Sequence, residues 1–249
     1  MSDDAVPPGT PQEVALQTIL RSIAVRDRST AARLLAGSPA LARQALDVGA
    51  TRAEESPYYF EELARFVYAG DTPLHIAAAA YETDIAEELV SRGAHVRARN
   101  RRGAEPLHYA VDGTPGSDSW DPEAQYAIVE FLIQAGANPN ATDSSGVAPL
   151  HRAVRTRCTA AVRALLVNGA DLRMRNKRGS TPLHLAVQNS GRSGTGTAAA
   201  REAQQEIIRV LLSHGARPTD KNAAGRSVQA CVTADWIRAL LSYSSSQND

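Results

Sequence analysis

Apolar residues in this chain fall in short paired clusters, and the pairs recur at a regular spacing. The first member of each pair opens with the same three residues, at Pro73-Leu74-His75, Pro106-Leu107-His108, Pro149-Leu150-His151 and Pro182-Leu183-His184. The second member is an apolar stretch, from Ile85 to Val90, Ile128 to Ile133, Val162 to Val167 and Ile207 to Leu212. A Gly-Ala pair closes each unit, at Gly93-Ala94, Gly136-Ala137, Gly169-Ala170 and Gly215-Ala216. The first and last His-to-His intervals are 33 residues and the middle one is 43, yet every interval from such a glycine to the next His is 15. The irregularity therefore lies inside a unit, between His and Gly. A period near 33 residues is the signature of a stacked helical array.

The residues of one unit each have a local duty. Thr72 and Thr181 suit a helix N-cap, where a hydroxyl accepts from an otherwise unpaired backbone N–H. Proline follows at the first helical position, where its missing N–H costs nothing. The Leu of the motif, and the Ala two residues after His, are expected to face inward, so Leu74, Leu107, Leu150 and Leu183 are core candidates. The closing glycines sit where a left-handed backbone ends the second helix. One helix pair leaves apolar surface uncovered, and stacking on neighbours buries a continuous core.

The run Gly-Asp-Thr-Pro-Leu-His-Ile-Ala-Ala at 70–78 and the run Arg-Gly-Ser-Thr-Pro-Leu-His-Leu-Ala at 178–186 are specific. On these residues the chain resembles the ankyrin repeat family over roughly 70–222, with Glu105 and Ala148 standing where the family prefers Thr. The resemblance implies an all-α repeat solenoid, an L-shaped stack of helix-turn-helix pairs with short β-hairpin fingers. It divides the chain into repeats at about 70–102, 103–145, 146–178 and 179–224. It also implies that partners touch the finger tips and the positions four and five after each His. Here those are Arg101, Arg102, Asp112, Ser144, Ser145, Arg155, Thr156, Lys177, Arg178, Ser180 and Gln188.

The ends depart from the repeat. Residues 12–46 carry Leu16, Ile19, Leu20 and Ile23, then Ala31 to Leu35, and read as a divergent repeat within an N-terminal cap spanning 12–69. Between that repeat and the first clear unit lie Tyr58, Tyr59, Phe60, Phe66 and Tyr68, five of the twelve aromatic residues, and Glu61 to Val67 reads as helical. These rings either seal the cap against the first repeat or form a recognition patch. Residues 225–243 read as a degenerate closing repeat, with Val228-Gln229-Ala230 in place of Pro-Leu-His. Residues 1–11 and 244–249 are expected to be disordered.

Two units carry insertions between His and Gly, ten residues around 112–122 and thirteen around 189–205. Because the repeat register survives, both are expected to lie outside the stacked core. Either they are surface decoration, which is entropically cheap, or they form a wall beside the binding surface with Trp120 as an anchor. Ala198 to Gln205 is expected to extend the second helix of its unit.

Composition narrows the function classes. The formal net charge is zero, which argues against a general polyanion binder. Charge is uneven locally: nine acidic residues (Glu54, Glu55, Glu61, Glu62, Asp71, Glu82, Asp84, Glu87, Glu88) face only Arg65 between 54 and 88. Arg97, Arg99, Arg101 and Arg102 follow the first unit, and Arg173, Arg175, Lys177 and Arg178 the third, with Asn100 and Asn176 where the family usually has Asp. That charge is either a solvated surface or a field that steers a complementary partner. Two cysteines are too few for a disulfide framework, and with no secretory h-region or apolar run of 18 residues the expectation is a cytoplasmic monomer off the membrane.

Candidate chemistry is sparse. The four motif histidines sit on successive units, far from the ~2 Å convergence a metal needs, and are expected to bond to the turns. Cys158, near Arg155, Arg157 and Arg163, reads as a spectator or an activated thiol. Gly191 to Gly196 lacks the strand-loop-helix setting of a phosphate loop. With no catalytic residues, metal or cofactor to name, the primary expectation is a non-enzymatic surface that displays itself rigidly to a partner protein, with an acidic stretch of that partner against the basic fingers. The alternatives are nucleic-acid binding through the basic fingers, with strong salt dependence, and an enzyme using the inserts as a lid.

Overall fold

A computed structural model describes residues 10–51, 58–117, 120–188 and 197–245. The expectations for 1–9, 246–249, Gly191 to Gly196 and the carboxylates Glu54 and Glu55 lie outside the described residues. Helices come in pairs: α1 (Pro11–Ala24) with α2 (Arg28–Gly37), α3 (Pro73–Ala80) with α4 (Thr83–Ser91), and α5 (Pro106–Ala110) with α6 (Pro122–Gln134). Then come α7 (Pro149–Thr156) with α8 (Thr159–Val167), α9 (Pro182–Ala186) with α10 (Ala198–Ser213), and the closing α11 (Asp235–Ser245). The first members α1, α3, α5, α7 and α9 pack side by side in an inner row, and α2, α4, α6, α8 and α10 in an outer row. This is an all-α solenoid of stacked helix-turn-helix pairs.

The repeat motif explains its own geometry. Thr72 Oγ1 and Thr181 Oγ1 accept from the backbone N–H groups of His75 and His184, capping α3 and α9. Proline occupies the first turn of α3, α5, α7 and α9. Leu74, Leu107, Leu150 and Leu183 are buried. Gly93, Gly136, Gly169 and Gly215 all have positive φ just past the outer helices.

The histidines tie units together. In each, Nδ1 accepts from the backbone N–H three residues earlier: Thr72, Glu105, Ala148 and Thr181 at 3.1–3.3 Å. That obligate donor fixes the ring proton on Nε2, which donates to a carbonyl of the next unit. The acceptors are Ala104, Val147, Ser180 and Arg226, at 3.0–3.3 Å. Both nitrogens of every motif histidine are thereby engaged in the scaffold.

Three expectations are corrected at the ends. Helix α1 starts at Pro11, capped by Thr10, so order begins inside the stretch read as disordered. Helix α11 likewise continues to Ser245. Glu61 to Val67 is helical only in a single 3-10 turn, Glu61–Leu63, and otherwise belongs to a hairpin. Strand β1 (Tyr59–Phe60) pairs antiparallel with β2 (Arg65–Phe66), across a turn in which Ala64 has positive φ. The hairpin is held by non-local bonds, from the Ala50 N–H to the Val67 carbonyl and from the Val67 N–H to the Tyr58 carbonyl. The pairing confines the helical preference of Glu-Glu-Leu-Ala to one 3-10 turn that ends at Ala64.

The closing unit lacks Pro-Leu-His, and where an inner helix would stand it has only a 3-10 turn, Gln229–Cys231. Val228, Val232, Ile237 and Leu241 still cover the last core layer.

Candidate partner-binding groove

Fingers and inner helices together line a groove. Each finger turns on an Asx side chain: Oδ1 of Asn100, Asp143, Asn176 and Asn222 accepts from the backbone N–H groups two and four residues on. The fingers also bond to one another in sequence. Arg101 N–H donates to the Ala69 carbonyl, Ser144 to Arg102, Lys177 to Ser145 and Ala223 to Arg178. Asn100 and Asn176 are therefore turn-formers, and their replacement of Asp leaves the turn intact while removing a negative charge.

The groove holds about 660 Å³ and runs between the fingers 100–104 and 143–147 and the inner helices α5 and α7. Its floor is polar and largely cross-bonded, although Asp112 Oδ1 and Arg152 Nε are buried without a hydrogen-bond partner among the described residues. Asp71 accepts from Asn100 Nδ2 at 2.9 Å, from the Tyr109 hydroxyl at 2.8 Å and from the Tyr68 N–H at 2.7 Å. Arg152 bridges two carboxylates, Asp112 and Asp143, each at 3.0 Å. Burial pushes the Tyr109 phenol well above its ordinary range, so it stays a hydrogen-bond donor.

The hairpin tip reaches over this floor. The Arg65 guanidinium lies 4.5 Å from the Tyr109 ring centre and 3.5 Å from Asp112. On its far side is a second hollow of about 600 Å³, which shares Ala64, Arg65, Asp112 and Arg155 with the first. Tyr68, from the aromatic cluster, supports the fingers: Arg102 donates to its hydroxyl at 2.8 Å, and Arg101 and Arg102 both stack on its ring. Arg101 also donates to the Ala50 carbonyl.

The structure gathers most of the expected contact residues, but not all as expected. Arg101, Arg102, Ser144, Ser145 and Arg155 line the first hollow and are exposed. Asp112 lines it too, but is held by Arg152 and Arg65 and offers a partner little. Thr156 lies in the second hollow, half-buried, with its hydroxyl donating to the Arg152 carbonyl. Lys177, Arg178 and Gln188 are exposed but line neither hollow. Ser180 is buried and its carbonyl accepts from His151, which removes it as a contact.

Trp120 is half-buried rather than exposed. It packs against the core, and its indole N–H donates to Gln125 Oε1 at 3.1 Å. The first insert is therefore partly built into the stack, contrary to its expected place outside the core. Residues 118, 119 and 189–196 lie outside the described residues. Cys158 is buried, and burial pushes its thiol up, the opposite of an activated nucleophile. Cys231 is also a free thiol.

In the sequence Arg65 stands out only as the lone cation among carboxylates and Tyr68 only within the aromatic cluster, while Tyr109, Asp143 and Arg152 are not singled out. One signal was available for two of them. The residue after each motif His is Ile76, Tyr109, Arg152 and Leu185, so Tyr109 and Arg152 interrupt an apolar position.

No helix among the described residues is long and apolar enough to cross a membrane. The family model for ankyrin repeats (three copies) matches residues 22–118 and 123–222. No curated protein matches the chain in a sequence search.

Proposed function

The chain belongs to the ankyrin repeat family, and we propose that it is a non-catalytic binding protein whose groove holds an acidic stretch of a partner protein. The observation that carries this reading is the charge of the groove. Five arginines (Arg65, Arg101, Arg102, Arg152, Arg155) line it against two aspartates, Asp112 and Asp143. Both aspartates pair with Arg152. Among the described residues, Arg101 and Arg102 bond to neutral oxygens, and Arg155 stands exposed, which supports their charge being available to an incoming anion. Lys177 and Arg178 extend the same sign along the next finger.

The rigid scaffold supports the reading as well. Fingers bonded to one another and capped by buried histidines lose little entropy when a partner docks. The two unpaired thiols suit a reducing, cytoplasmic setting, and a single copy suffices to form the groove.

A photo-reactive residue placed at exposed Ser145 should cross-link the partner in cells, whereas the same residue at Val167, 70% exposed on outer-row α8, should not. Equal cross-linking at both positions, or cross-linking at Val167 alone, contradicts the reading.

A further inference from the structure

The hairpin tip splits the groove into two hollows of unlike chemistry. The first is the arginine-rich hollow between fingers and inner helices. The second is lined on its apolar side by Ala24, Val25, Leu63, Ala79, Ala80 and Trp120. Its charged lining is mixed, Arg26, Arg65 and Arg155 beside Glu62 and Asp112; Arg26 donates to the Ala80 carbonyl and lies 3.6 Å from Glu82, which Arg28 engages at 2.6 Å. Val25 is 53% exposed there, and Leu63, Ala79 and Trp120 are half-buried. The hollows are continuous, since Ala64, Arg65, Asp112 and Arg155 belong to both. Arg65 is braced on Tyr109 and Asp112, so the divider is part of the folded surface.

We propose that the occupant is a bipartite peptide: an acidic run seated against Arg101, Arg102 and Arg155, joined to a large apolar side chain that crosses the Ala64–Arg65 tip and enters the second hollow. Two features of the groove point to that occupant. Arg101, Arg102 and Arg155, with no carboxylate partner among the described residues, call for carboxylates. The exposed apolar wall of the second gains from covering by a side chain without charge. The hairpin thus sets the order and spacing of the two parts, and the aromatic-rich insertion becomes a specificity element rather than only a seal. This inference rests on the acidic-partner reading and adds the apolar anchor to it.

Trp120 supplies the readout. The chain has two tryptophans, and Trp236 sits in the closing helix, so Trp236→Phe leaves Trp120 as the sole reporter in the full chain. Three labelled synthetic peptides are titrated: eight glutamates alone, eight glutamates with Leu-Phe at both ends, and eight serines with the same ends. The Leu-Phe glutamate peptide should bind about tenfold or more tightly than glutamate alone, the scale expected for one buried large apolar side chain. It alone among the glutamate probes should shift Trp120 emission. Val25→Glu, at an exposed position, should cut that advantage to less than about twofold and leave the glutamate-only affinity unchanged. Arg102→Glu should weaken both glutamate peptides.

Equal affinity of the two glutamate peptides, with silent Trp120, overturns the bipartite proposal and leaves the acidic-partner reading standing. Binding of the serine peptide as tight as that of its glutamate counterpart overturns it as unspecific apolar adhesion. Failure of every peptide to bind overturns both readings.

Discussion

Arg65 and Tyr109 are 44 positions apart in sequence, yet the guanidinium of one lies 4.5 Å above the ring of the other. The contact pins the N-terminal hairpin onto the second repeat and sets the form of the groove. It predicts that Arg65→Ala frees the hairpin without melting the stack. Amide exchange should rise over residues 58–67, while global stability falls by only about 1 kcal/mol, because Asp112 keeps Arg152 as a partner. Unchanged exchange there would mean that the backbone bonds to Ala50 and Val67 hold the hairpin without Arg65.

The motif histidines should behave as couplers between repeats. His151→Ala leaves the Ala148 N–H and the Ser180 carbonyl buried without their partner. The expected cost is roughly 2–3 kcal/mol in chemical denaturation, the penalty of stranded polar groups added to a small cavity. A loss below about 0.5 kcal/mol would show that the inter-repeat bond contributes little.

Acid should destabilise the stack early. Burial lowers the affinity of His75, His108, His151 and His184 for a proton, and takes His108 down to about 4 from an ordinary 6.5. Between those values the unfolded chain binds a proton at His108 that the folded chain refuses, and the other three rings shift in the same direction. Stability contributed by the neutral rings is therefore complete above pH 6.5 and falls as pH drops through the window, by roughly 3 kcal/mol for His108 alone. A denaturant midpoint that is flat from pH 7 to 5 would contradict this. His108→Gln should flatten the slope.

How much of this was legible depends on whether a residue's job is local. Thr72, Pro73 and the Nδ1 side of His75 act within one turn, so their spacing in the sequence reveals both helix and cap. The hairpin is different. Its strands are two residues long and held by Ala50 and Val67, and no periodicity marks such a pairing; Glu61 to Val67 carries only a misleading helical preference. Among the expected contacts, Arg101, Arg102, Ser144, Ser145 and Arg155 fall in the groove because finger and helix positions repeat faithfully. Ser180 fails because its place at a finger base turns its carbonyl to His151. Arg65 and Tyr68 are visible in the sequence as a lone cation and a clustered ring, but their pairing is not, because their partners Tyr109 and Arg102 come from later repeats.

The first insert offers a sharp test of packing. A Cβ at Gly113 would lie 2.6 Å from the Tyr81 hydroxyl, 2.9 Å from Trp120 Cδ1 and 3.0 Å from Cys158 Sγ. Gly113→Ala should therefore cost about 1–3 kcal/mol, as overpacking does. Trimming 113–122 removes Trp120 and the Asp121 cap of α6 as well, so it should destabilise more. Trimming that leaves the melting temperature unchanged would return the insert to mere decoration.

Association kinetics test the central claim most directly. The partner, or the Leu-Phe glutamate peptide, is measured against the native chain and against a variant with Arg101, Arg102, Lys177 and Arg178 all changed to Glu. The account predicts association slowed about tenfold or more, with a weakened salt dependence and a melting temperature within about 4 °C of the native value. Unaltered association by a folded variant would contradict it.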